Sequence, residues 1–141
     1  MDVKTKKARN FRNYKVWQDA VEYASKVYKI TAEMPWFEKK GLCDQLQRAV
    51  VSISSNIAEG AAKPSDAEFA RFLDTSLGSA FEVETQLLIA KNVGYIKNAN
   101  DNVNHNSNHN DKEGVTYEEL VAELQEIERQ INGLISSVRK T

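Results

Sequence analysis

Between residues 41 and 60 the chain reads Gly41-Leu42-Cys43-Asp44-Gln45-Leu46-Gln47-Arg48-Ala49-Val50-Val51-Ser52-Ile53-Ser54-Ser55-Asn56-Ile57-Ala58-Glu59-Gly60. At roughly 100° per residue, Leu42, Leu46, Ala49, Val50, Ile53, Ile57 and Gly60 gather within an arc of roughly 100°, the width of one core-facing helix stripe. Gly60 supplies a C-terminal stop. A second stripe of Gln45, Arg48, Ser52, Asn56 and Glu59 falls within about 80° and borders the apolar arc instead of opposing it. These polar groups are therefore expected to be half-buried.

Outward from this segment the same period recurs. Trp17, Ala20, Val21, Ala24, Val27, Tyr28 and Thr31 predict a helix from about Tyr14 to Glu33, which Pro35 ends by forcing the residue before it out of the α region. Ser65 or Asp66 caps a third helix that runs to about Gly94, with Phe69, Leu73, Leu77, Ala80, Leu87 and Leu88 expected inward. Thr116-Tyr117-Glu118-Glu119 has capping-box spacing and starts a fourth. Tyr117, Leu120, Val121, Leu124, Ile127, Ile131, Leu134, Ile135 and Val138 give that helix the cleanest stripe of all. No strand alternation with turn signals and no internal repeat is present. The short connections at 34–37 and 61–65 make neighbours antiparallel, so the fold is all-α, an up-down-up-down antiparallel four-helix bundle.

In domain terms the chain divides into a basic arm at 1–13 and a single bundle at 14–141. Asparagine stands at every second position from Asn98 to Asn110. Asn is depleted from strands, so a mobile Asn-rich loop is expected at about 97–115.

The 141 residues are 41% hydrophobic and 28% charged, enough to bury one core. No apolar run approaches the roughly 18 residues of a membrane span, and one cysteine, Cys43, excludes an internal disulfide framework. A cytoplasmic protein without membrane contact is expected. The formal net charge of -1 excludes a uniformly basic nucleic-acid binder, but the charges are not evenly spread. Lys4, Lys6, Lys7, Arg9, Arg12 and Lys15 oppose only Asp2 in the first fifteen residues, whereas residues 111–128 are strongly acidic. Such an arm neutralises phosphates, trails in solvent, or docks on an acidic face of another subunit.

Little else points to chemistry. His105 and His109 have a helical metal spacing but lie in the Asn-rich loop, so no metal site, no cofactor and no catalytic residue is assigned. Cys43 has no histidine nearby in sequence to activate it and reads as a small hydrophobe. Glu84 falls among apolar residues of the third helix and requires a partner. Arg48 or another member of the polar stripe is the expected one. The resulting network of Gln45, Arg48, Ser52, Asn56, Glu59 and Glu84 either fixes helix register or lies at a subunit interface. Gly78 costs about 1 kcal/mol in mid-helix relative to Ala, which close approach of another helix or subunit would offset.

The 41–60 run, and above all Asn56-Ile57-Ala58-Glu59-Gly60, resembles the signature of the bacterial 23S rRNA intervening-sequence proteins. Leu42, Gln45, Arg48-Ala49 and Ser52-Ile53 match as well. Tyr14-Lys15-Val16-Trp17-Gln18-Asp19-Ala20 upstream, and Glu68-Phe69, Phe72-Leu73, Gly78-Ser79 and Glu82-Val83-Glu84-Thr85-Gln86-Leu87 downstream, resemble its other segments. The turn Ala61-Ala62-Lys63 departs from it where Gly and Arg are common, as does the Asn-rich loop. The resemblance implies a small bundle that assembles into a homo-pentameric ring, has no established catalytic activity, and is related to accessory proteins of diversity-generating retroelements that bind nucleic acid and a reverse transcriptase. The expected function is accordingly a non-enzymatic, self-assembling bundle that binds structured RNA or DNA through Lys4, Lys6, Lys7, Arg9, Arg12 and Lys15. The competing expectation is a protein–protein adaptor or scaffold, for example for a polymerase, without direct nucleic-acid binding.

Overall fold

The computed structural model describes residues 9–99 and 114–140. Four α-helices make up the fold: α1 (Lys15–Ala32), α2 (Leu42–Ala61), α3 (Asp66–Asn92) and α4 (Tyr117–Arg139), with short 3-10 turns at Phe11–Asn13 and Trp36–Glu38. No strand occurs among the described residues. Each helix packs on its neighbour in sequence, and α1 closes the bundle against α4 along its thinnest seam. This is the up-down-up-down arrangement the periodicities predict.

The boundaries follow local chemistry. The Ser65 hydroxyl accepts from the Glu68 amide at 3.1 Å and the Thr116 hydroxyl from the Glu119 amide at 3.3 Å, each satisfying an orphan donor of a first turn. At the end of α3, Gly94 adopts φ +88°, while the Tyr95 amide returns to the Ala90 carbonyl and the Gly94 amide to Lys91. This is a Schellman stop, which a residue with a Cβ would strain.

The core is one cluster that draws Tyr23, Leu46, Ile53, Ile57, Phe69, Leu73, Leu87, Leu120, Leu124 and Ile131 from all four helices. Tyr23 is buried to its hydroxyl, which donates to the Leu120 carbonyl at 2.7 Å and so ties α1 to α4. Three inward assignments are corrected, and two of them are on α1, where Val21 and Tyr28 are 40% and 45% exposed. Leu88 is 42% exposed, because α3 packs on α2 along one side and on α4 along another, and Leu88 lies outside both sectors. No helix among the described residues is long and apolar enough to cross a membrane.

Candidate functional site

The polar stripe of α2 is less buried than its position beside the apolar arc suggested. Ser52 and Asn56 are half-buried, whereas Gln45, Arg48 and Glu59 are exposed. The hydroxyls of Ser52 and Ser79 lie 2.8 Å apart and join α2 to α3, and the Asn56 amide donates to both the carbonyl and the hydroxyl of Ser52 at 2.8 Å. Below them, Ser76 is fully buried and donates to the Ile53 carbonyl at 2.8 Å. Arg48 pairs with Asp44 one turn earlier on its own helix, at 3.1 Å.

Glu84 therefore does not meet Arg48. It lies five residues beyond Ser79, roughly 140° round α3, and this turns it from α2 towards α4. There it faces Glu128, and its nearby carboxyl helps push that of Glu128 up. Sequence reasoning did not single out Glu128, although the signal was available. Its spacing from Leu124, Ile131 and Ile135 places a carboxyl on the buried stripe of α4.

Gly60, at the end of the stripe, is required by contact. A Cβ there would lie 2.6 Å from Phe72 Cβ and 3.0 Å from Phe69 Cδ1, so α2 and α3 touch backbone to side chain. Gly78 is different. It is exposed, and nothing lies within 4 Å of where its Cβ would stand, so no helix of this chain offsets its cost. After it, Phe81, Leu88 and Ile89 of α3 and Val93 at its C-cap stand in solvent at 52%, 42%, 48% and 55% exposure. These residues and Gly78 share the side of α3 that neither α2 nor α4 covers. At the α1–α2 connection Trp36 and Phe37 also stand out, their rings edge to face, while Glu38 beside them accepts from the Tyr95 hydroxyl at 2.9 Å.

Of the basic arm, Lys4, Lys6 and Lys7 lie outside the described residues. Arg9 is clamped at the α2–α3 turn. Its guanidinium donates to the Lys63 carbonyl at 2.7 Å and the Ala61 carbonyl at 3.4 Å, pairs with Asp66, and lies over the Phe69 ring. Arg12 stacks over Phe11, and Lys15 pairs with Asp19 at 2.6 Å. The Asp19 carboxyl is held below its ordinary range by the Gln130 amide and by Lys15. Lys63, in the turn that departs from the expected pattern, lies over the Phe72 ring. No pattern of residue types announces the Arg9 clamp, because its acceptors are backbone carbonyls more than fifty residues away.

Burial pushes the Cys43 thiol up, and the thiol donates to the Thr31 carbonyl at 3.5 Å. Among the described residues no three His, Cys, Asp or Glu side chains are grouped to hold a metal. His105 and His109 lie outside them.

A family model described as 23S rRNA-intervening sequence protein matches residues 12–112. Among solved structures, a crystal structure of a protein of unknown function from the S23 ribosomal protein family of Bacteroides thetaiotaomicron is similar, with a TM-score of 0.68 and 22% identity. That match covers 86% of this chain and 95% of the other. At this identity the likeness shows the fold. No curated protein matches the chain.

Proposed function

The chain belongs to the 23S rRNA-intervening sequence protein family, and from that premise and the character of its surface we propose that it is a non-enzymatic bundle that assembles with copies of itself and holds structured RNA or DNA on basic surfaces of the assembly. The observation that carries self-assembly is the outer side of α3. Phe81, Leu88, Ile89 and Val93 lie in solvent along one side, beginning one turn after Gly78. Exposed apolar residues scattered singly need no partner, but several on one helix face mark a contact surface. Gly78, one turn before Phe81, lets a second backbone approach at one end of that surface and gives its helix cost a return. The homo-pentameric ring implied by the sequence resemblance is the form proposed.

For nucleic acid, the support is the Arg9 clamp. It fixes residue 9 at the α2–α3 turn, so the chain segment that carries Lys4, Lys6 and Lys7 is joined to the bundle there. In an assembly those charges repeat, and repeated weak phosphate contacts raise avidity without any new contact. Arg9 itself is occupied and acts as the anchor.

Light scattering tests the assembly. The full chain is expected at several times its 15.9 kDa mass, and Phe81→Glu with Ile89→Glu is expected to return it to one chain with unchanged helical signal. A wild-type monomer would refute self-assembly. The adaptor reading is favoured by Trp36, 86% exposed at one end of the bundle. It would displace the nucleic-acid reading if the assembly binds neither RNA nor DNA while a protein partner binds and is lost on Trp36→Ala.

A further inference from the structure

We propose that Glu84 of α3 and Glu128 of α4 share one proton across the seam between those helices, and that losing this proton as pH rises through neutrality loosens the seam. Glu84 Oε1 and Glu128 Oε2 are both buried without a hydrogen-bond partner. Each carboxylate can only accept, so two ionised groups facing each other leave both oxygens orphaned, whereas one proton between them gives both the same bond. Glu128 is 9% exposed, which leaves water little room to replace that bond.

The groups around the pair offer no alternative. From α3 the group acting on Glu128 is Glu84, of the same charge. On α1 the pair faces Tyr23, whose hydroxyl donates to the Leu120 carbonyl and is kept protonated by its burial and by Glu123, Glu128 and Glu84. On α4 the neighbouring acids have their own cations, Glu123 with Lys26 and Glu126 with Arg129. No titratable group of α2 acts on Glu128. Burial first, then the hydrogen bond and charge of Glu84, push the Glu128 carboxyl up to about 7.

The sign follows from linkage. The folded chain holds a proton that the unfolded chain releases at an ordinary carboxyl pKa of about 4.3. The stabilisation is complete below that value and is lost as pH rises towards the folded value. The pair thus opposes the usual carboxylate pattern, in which stability grows as pH leaves the acid range.

The experiment is a carbon-13 carboxyl titration of the full chain by NMR, with urea unfolding at pH 5.5 and pH 8.5 for wild type, Glu84→Gln and Glu128→Gln. One carboxyl is expected to titrate near neutrality and to return towards the ordinary range in Glu84→Gln. The wild-type folded-to-unfolded ratio is expected to fall roughly ten- to a hundred-fold between the two pH values, and the fall to flatten in Glu128→Gln. Ordinary titration of both carboxyls, or the same pH slope in Glu128→Gln as in wild type, would overturn the proposal. If neither variant folds, the wild-type titration decides alone. Manganese(II), added at pH 8.5, is the control for a cation in place of the proton. A rise in wild-type stability that is absent from Glu128→Gln would likewise overturn proton sharing.

Discussion

Two glycines, one on each helix of the α2–α3 pair, have opposite reasons to be there. At Gly60 the space for a Cβ is already filled by Phe72 and Phe69, and Phe72 Cβ sits too close to its own backbone to move aside. Gly60→Ala is expected to lower stability by about 1–3 kcal/mol in urea unfolding, despite the better helix propensity of Ala, because overpacking outweighs it. At Gly78 the space is empty. Gly78→Ala is expected to stabilise the isolated bundle by about 0.5–1 kcal/mol and, under the proposed assembly, to weaken association in light scattering. A substitution that strengthens the fold while weakening its self-contact would separate the two roles of this residue. Unchanged association would show that the surface around Gly78 is not a contact.

At the scale of the helices, legibility in the sequence depended on how many partners each one has. For α1, α2 and α4, one buried stripe gives one period, and caps and Pro35 mark the ends. α3 has the weakest amphipathic contrast of the four, because it buries two sectors and carries Phe81, Leu88, Ile89 and Val93 outside both. A single inward arc therefore absorbed Leu88 wrongly and aimed Glu84 at α2. The stripe of Gln45, Arg48, Ser52, Asn56 and Glu59 was visible as a pattern. Its contacts were not, since Ser79 enters from α3 and Arg48 turns back to Asp44. The start of α4 rests on Thr116, whose hydroxyl meets the Glu119 amide and which is itself buried. Thr116→Ala is expected to cost about 1 kcal/mol, and Thr116→Ser little. Amide exchange should show the loss first in the opening turn of α4. Equal protection there in both variants would mean that packing alone sets this helix end.

For the molecule as a whole, the near-zero net charge conceals a division between a basic beginning and an acidic α4. Part of that division is spent internally, on Arg9 with Asp66, Lys15 with Asp19 and Lys26 with Glu123. The charges left for phosphate under the proposed function are those of Lys4, Lys6 and Lys7 together with Arg12. A chain lacking residues 1–8 keeps Arg9, so its melting temperature is expected to match wild type. Its affinity for structured RNA or duplex DNA is expected to fall, and its salt dependence to flatten by up to about 0.9 per lost phosphate contact on duplex DNA. Binding that is insensitive to salt, or unchanged by the deletion, would remove the arm from the proposal.

The Arg9 clamp also gives the bundle a direction. It pins residue 9 beside the α2–α3 turn, and Arg139, near the end of α4, pairs with Asp74 in the early part of α3. Both leads into the helices therefore enter at one pole, and Trp36 and Phe37 mark the other. A tether attached ahead of residue 9 or after residue 139 would hold every molecule the same way up and leave the aromatic pole facing outwards. Joining the two leads by a short bridge would allow new ends to be opened elsewhere without crossing the core.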